Sequence, residues 1–266
     1  MLELAVRPTD PPMGADQYLL IQTRAWWLSS VPTSSGLLHH LAEHVVRTWI
    51  PGRPERDWLR RHEVTGRRRW LTGSEEEARR EGLTPDEAVT VTWSRGPGGD
   101  FRAEDERLEE LTDELTAAAT PRRRGSWHAP TSEFLAALPR DPSALLDRLV
   151  DGPSSRFTGP FSRAVDLLRS GAVPADLREA LYAALVRLPA VTVDEAATDP
   201  EGRPCLALVH DAGPTRTELF VDADTGQFAG ERDTLRKDSS IGLGVGTVIA
   251  TTAVRTAVVD HVDDLV

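Results

Sequence analysis

The chain has 266 residues, with 31 Lys and Arg against 42 Asp and Glu, a formal charge of -11, and Lys237 as its one lysine. That acidic balance excludes a nucleic-acid partner, whose phosphates demand a net basic face. A single cysteine, Cys205, excludes an intramolecular disulfide and a Cys-rich zinc module, while 39% hydrophobic content exceeds that of a disordered chain and falls short of a membrane bundle.

A Pro-rich entry (Pro8, Pro11, Pro12) makes residues 1–16 an extended arm, and 17–266 reads as a single α+β domain. From Gln17 to Ser29 the pattern has period 2, with Leu19, Ile21, Ala25 and Trp27 on one side and Tyr18, Leu20, Gln22, Arg24 and Trp26 on the other, which predicts a strand. Leu37 to Ile50 ends in a β-branched and aromatic run stopped by Pro51-Gly52. Arg56 to Val64 and Arg67 to Thr72 flank Thr65-Gly66, which predicts a hairpin turn there. Ala88 to Trp93 alternates as a further strand, broken by Gly96-Pro97-Gly98-Gly99.

Helices follow. Ser74 caps a short acidic turn, and Glu104 to Ala118 carries a narrow leucine stripe. Thr131 or Ser132 caps Glu133 to Leu138, and Asp141 caps a helix with Pro142 in its first position. Pro160 opens another helix that ends at Gly171. Pro174 opens the last, with Leu177, Leu181, Leu185 and Leu188 on one face. Strands return over Val191–Ala196, Cys205–His210, Thr215–Val221, Gln227–Asp233 and Val245–Asp260, with Gly226 in the left-handed position of a short turn. The expected fold is α+β: a curved, half-barrel-like antiparallel sheet with helices inserted between N-terminal and C-terminal strand groups.

His40-Leu41-Ala42-Glu43-His44 is a literal H-x-x-E-H, which on a helix would let His40 and His44 share a zinc with Glu43 as general base. The continuation into Val46, Thr48, Trp49 and Ile50 reads as a strand, on which residues four apart stand about 13 Å apart and share no metal. No nucleophile elbow, phosphate loop or dinucleotide fingerprint is present, and no motif asks for a cofactor. Gly242, Gly244 and Gly246 precede a strand rather than a helix. Cys205, in an alternating apolar run, reads as a buried inert thiol. Trp26, Trp27, Trp49, Trp58, Trp70 and Trp93 fall in the N-terminal strands, where large rings either line an apolar pocket or fill the core. The longest stretch without charge, Ser239 to Val254, is 16 residues rich in Gly, Ser and Thr, short of a bilayer span. The first residues lack the basic start and apolar core of a signal peptide.

Several motifs recur in order: Arg47-Thr48-Trp49-Ile50-Pro51, Asp57-Trp58-Leu59-Arg60-Arg61, Gly125-Ser126-Trp127, the run from Pro130 to Pro142, Val173-Pro174-Ala175-Asp176-Leu177-Arg178 and Asp224-Thr225-Gly226-Gln227-Phe228. Together they resemble a family of actinobacterial membrane-anchored proteins known by a locus-tag name, over nearly the whole chain. The resemblance implies a cytoplasmic N-terminal stretch, one transmembrane helix and then this domain outside, so the sequence reads as an excised ectodomain. It also implies encoding beside extracytoplasmic-function sigma factors. More distantly, the plan is similar to the half-barrels of LolA-type lipoprotein carriers and periplasmic sigma-factor regulators. No catalytic residues come with the resemblance.

Three functions are therefore expected. The first is a non-enzymatic extracytoplasmic sensor, regulatory or ligand-binding domain of an envelope-signalling system, taking an apolar or lipid ligand on the concave sheet face. The alternatives are a metallohydrolase using His40, Glu43 and His44, and a structural protein-interaction module. A cavity between helices and sheet favours the first; a filled core favours the last.

Overall fold

The structure, a computed structural model, describes residues 6–34, 36–82, 89–101, 125–151 and 159–262. Nine strands form one antiparallel sheet that does not close: β1 (Tyr18–Thr33), β2 (Gly36–Pro51), β3 (Asp57–Trp70), β4 (Thr90–Pro97), β5 (Val191–Thr198), β6 (Pro204–Ala212), β7 (Thr215–Val221), β8 (Phe228–Leu235) and β9 (Val248–Val259). Five helices accompany them among the described residues: α1 (Glu75–Arg80), α2 (Ser132–Ala137), α3 (Pro142–Val150), α4 (Pro160–Arg169) and α5 (Ala175–Leu185).

The strand order β4-β3-β2-β1-β9-β8-β7-β6-β5 puts the last strand, β9, in the middle with the first, β1, beside it. The chain meanders outward to the β4 edge, crosses with α2 to α5 to the β5 edge, and meanders back until β9 pairs antiparallel with β1 from Tyr18↔Val259 to Trp27↔Ala250. Sheet with some helices is the expected α+β class, and the helices of the crossover lie between the two strand groups as expected.

The caps explain why the helices start where they do. Thr131 accepts the Phe134 N–H, Asp141 accepts from Ser143 and Ala144, and Ser74 accepts from Glu77. Pro160 sits in the first turn of α4, where its missing N–H costs nothing. The leucine stripes face the sheet: Leu145, Leu149, Leu177, Leu181 and Leu185 are fully buried. They pack on the sheet face that carries Leu208, Leu219, Val221, Phe228 and Val254. From the N-terminal strands only Leu19, Ile21 and Ile50 join this core. On the opposite face Cys205, Ala207, Val209, Phe220 and Ala229 form a smaller cluster, with the Arg232 guanidinium 5.3 Å over the Phe220 ring. Cys205 is buried there, its thiol pushed up to about 11 by desolvation.

Two expectations need correction. Thr65-Gly66 is no hairpin turn: β3 runs unbroken from Asp57 to Trp70, and its register against β2 jumps from His44↔Val64 to Ala42↔Arg68. Residues 65–67 bulge opposite Glu43, with Gly66 at φ 78° and the Thr65 hydroxyl donating to a Glu43 carboxylate oxygen at 2.8 Å. Gly96 does not break β4 either. It lies inside the strand, and the position requires glycine because a Cβ there would meet the Asp100 carbonyl oxygen at 2.1 Å. The expected helix over Glu104 to Ala118 lies outside the described residues.

Candidate functional site

The helix layer leaves a cavity of about 360 Å³ beside β1 and β2. Leu19, Ile50 and Trp58 line it from the sheet, and Leu135 and Val173 line it from the helix side. Gly171, at φ 66°, turns the chain out of α4 into this wall; a Cβ there would stand 2.5 Å from Cγ2 of Ile21.

The remaining wall is the N-terminal arm, through Asp10, Pro11 and Met13. Both ends of this strap are tied down. At one end the Thr9 N–H donates to the Thr225 carbonyl at 2.9 Å, and Asp10 accepts from the Ala175 N–H at 2.9 Å. Arg178, whose residue is only 2% exposed, donates to the Asp10 carboxylate at 2.9 Å and to the carbonyls of Thr9, Val173 and Gly226. Tyr182 donates to the same Gly226 carbonyl at 3.1 Å, and burial raises its phenol pKa. At the other end Gly52 packs so closely under Gly14 that a Cβ would meet the Gly14 carbonyl oxygen at 2.2 Å. Asp16 pairs there with Arg53 and Arg56. Two prolines, Pro11 and Pro12, stiffen the span between the anchors.

The six tryptophans do not share one pocket. Register places Trp27, Trp58 and Trp70 on the helix-bearing face and Trp26, Trp49 and Trp93 on the other. Of the six, Trp58 alone lines the 360 Å³ cavity. Trp49 and Trp93 stack at 5.8 Å, and Trp26 lies under the Arg69 guanidinium at 3.8 Å.

The H-x-x-E-H lies wholly within β2. His40 and His44 stand four residues apart on one face, and Glu43 points to the other, where it accepts from Arg24 at 2.8 Å. The shared metal position of the metallohydrolase expectation therefore does not exist, and no group of three or more metal-ligating side chains occurs among the described residues. His44 instead meets His62 of β3, its Nδ1 3.0 Å from Nε2 of His62, so that one ring donates to the other. No sequence signal singles out His62. Its partnership depends on a β2–β3 register that the bulge conceals.

Burial lowers the pKa of His44 and His62, with the neighbouring His62 adding to the effect on His44 and Arg60 to that on His62; burial also lowers those of His40 and His210. A histidine held neutral binds fewer protons folded than unfolded, so its stabilisation is present above pH 6.5 and lost as the pH falls. Glu231 and Asp233, raised by burial, act in the opposite sense, losing stability as the pH rises above the ordinary carboxylate range. The histidine part is therefore read as a difference. Between pH 7.5 and 5.5 the urea midpoint should fall more steeply in wild type than in a His44→Phe/His62→Phe double variant. Parallel curves would show that the pair stays out of the titration.

No family model, curated protein or solved structure matches this chain. Fold and site together define an open antiparallel sheet with a helix layer on one face and a strapped apolar cavity between them. No helix among the described residues is long and apolar enough to cross a membrane.

Proposed function

We propose that this chain is a non-enzymatic ligand-binding domain that holds an apolar or lipid ligand between sheet and helices and serves as sensor or regulator in an extracytoplasmic envelope-signalling system. The observation behind the ligand is the apolar cavity, whose volume of about 360 Å³ lies within the usual range for small-molecule sites. The extracytoplasmic setting and the half-barrel likeness rest on the sequence resemblance. The strap supplies a route from occupancy to signal: it is at once a wall of the cavity and, through Arg178, tied to the turn between β7 and β8.

Native mass spectrometry after exposure to dodecanol, and to a bacterial lipid extract, tests this reading. A single bound species is expected, lost in Ala136→Trp, which fills the cavity from its exposed rim on α2. Loss of the Asp10 clasp in Asp10→Ala should speed dodecanol exchange without abolishing binding. If wild type emerges unliganded from both exposures, the reading fails. The interaction-module alternative has one observation behind it: edge strand β4 exposes Val91 at 47% and Trp93 at 53%.

A further inference from the structure

A second cavity, of about 540 Å³, lies against β1, β2 and β3 on the helix-bearing face of the sheet. Trp27, Ala42 and Val64 give it an apolar floor. Its polar lining comprises Ser29, Ser30, His40, His44, Arg67 and Arg68, with no carboxylate lining it among the described residues, on a chain whose net charge is -11. A cavity built this way in an acidic protein repels cations and attracts anions.

Two of these groups lack full partners. The Arg68 side chain is 7% exposed, yet among the described residues its one carboxylate contact is a loose pairing with Glu75 at 3.4 Å. The other oxygen of Glu75 is occupied by the Trp70 indole N–H at 3.0 Å. His40, 4% exposed and packed against Trp70 with the rings tilted at 50° and 4.8 Å between centroids, has a buried Nδ1 with no hydrogen-bond partner. Buried polar groups are ordinarily satisfied, so this nitrogen leaves the His40 ring, which lines the cavity, short of a hydrogen bond that a reoriented ring can make to a ligand. Arg67 does not contribute in the same way, because its guanidinium turns to Glu43 and the Trp26 ring on the opposite face.

We propose that this cavity is a second, independent binding site, for an amphipathic monocarboxylate. One under-paired guanidinium matches one negative charge, and the Arg68 fork and the His40 imidazole both donate to carboxylate oxygens. The apolar body of the ligand lies along Trp27, Ala42 and Val64. A metal ion is disfavoured, since His44 and His62 already satisfy each other and Arg68 adds like charge.

Calorimetric titration with decanoate, decan-1-ol and acetate in the Ala136→Trp background, where the first cavity is filled, separates this site from the first. Decanoate is expected to bind with unit stoichiometry while the alcohol, without charge, and acetate, without an apolar body, do not. Arg68→Met should weaken decanoate by about tenfold or more, the scale of one lost charge-assisted bond. Arg68→Lys, which keeps the charge and loses the fork, serves if the Met variant does not fold. His40→Phe keeps an aromatic ring against Trp70 and removes the nitrogens, and should weaken binding by about fivefold. Equal binding of decanoate and decanol, or indifference to both Arg68 and His40, would overturn the proposal. So would decanoate binding that vanishes with the first cavity, whereas failure of the first cavity to take dodecanol leaves this result standing.

Discussion

Replacing Arg178 with methionine is expected to lower the unfolding free energy by about 3–5 kcal/mol, the usual cost of removing one member of a buried charged network. Methionine fills much of the same volume, so the loss measures hydrogen bonds rather than a void. Three carbonyls, of Thr9, Val173 and Gly226, lose a donor at once, and the Asp10 carboxylate loses its countercharge. The second carbonyl belongs to the α4–α5 loop, and the third to the turn between β7 and β8. The same guanidinium thus ties strap, helix layer and sheet together. Asp10→Ala should cost only about 1 kcal/mol, because Asp10 is half exposed and gives up one ion pair and one helix-end contact. Urea unfolding of the two variants tests the hierarchy. If Asp10→Ala costs as much as Arg178→Met, the strap itself, rather than the arginine hub, holds the region together.

That hub was only half visible in the sequence. Pro174, the leucine spacing of α5 and the turn glycine Gly226 were legible because each is a local signal: a fixed φ, a 3.6 period, a left-handed position. An arginine in a helix reads as solvent-facing until tertiary structure brings the Thr9 carbonyl to it from 169 residues away. The same division runs through the strands. β2 was legible as a strand across the H-x-x-E-H, since β-branched and aromatic residues outweighed the motif. The division of the tryptophans was implicit in the alternation itself, because Trp26 and Trp27 are neighbours and must diverge. Their grouping as one pocket ignored that alternation. The β3 bulge was hidden because Thr-Gly suits a bulge as well as a turn, and only the continued pairing of Trp70 with His40 distinguishes them. The cavities were not legible at all. They depend on how far the helix layer reaches over the sheet, which no periodicity records.

Gly230→Ala is expected to be the most damaging single-methyl change in the sheet, at about 3–5 kcal/mol. Gly230 sits on β8 opposite Ala253 at φ 149°, and a Cβ there would stand 2.0 Å from the Thr252 carbonyl oxygen. That oxygen is backbone, so relief requires β9 to move, and β9 is the strand that joins the C-terminal group to β1. The two strand groups also share one core, with Ile21 of β1 packed in the same cluster as Val254 of β9 and Leu219 of β7. Damage at the seam should therefore propagate to both sides rather than release one half. Tryptophan emission reports mainly on β1 to β4, which carry six of the seven indoles, whereas far-ultraviolet circular dichroism reports on the whole chain. In Gly230→Ala both signals should move to lower urea together and remain superimposable. An emission midpoint left at the wild-type value while the dichroism midpoint falls would mean that β1–β4 stand without the C-terminal strands, and that the sheet is two cooperative units sharing an edge.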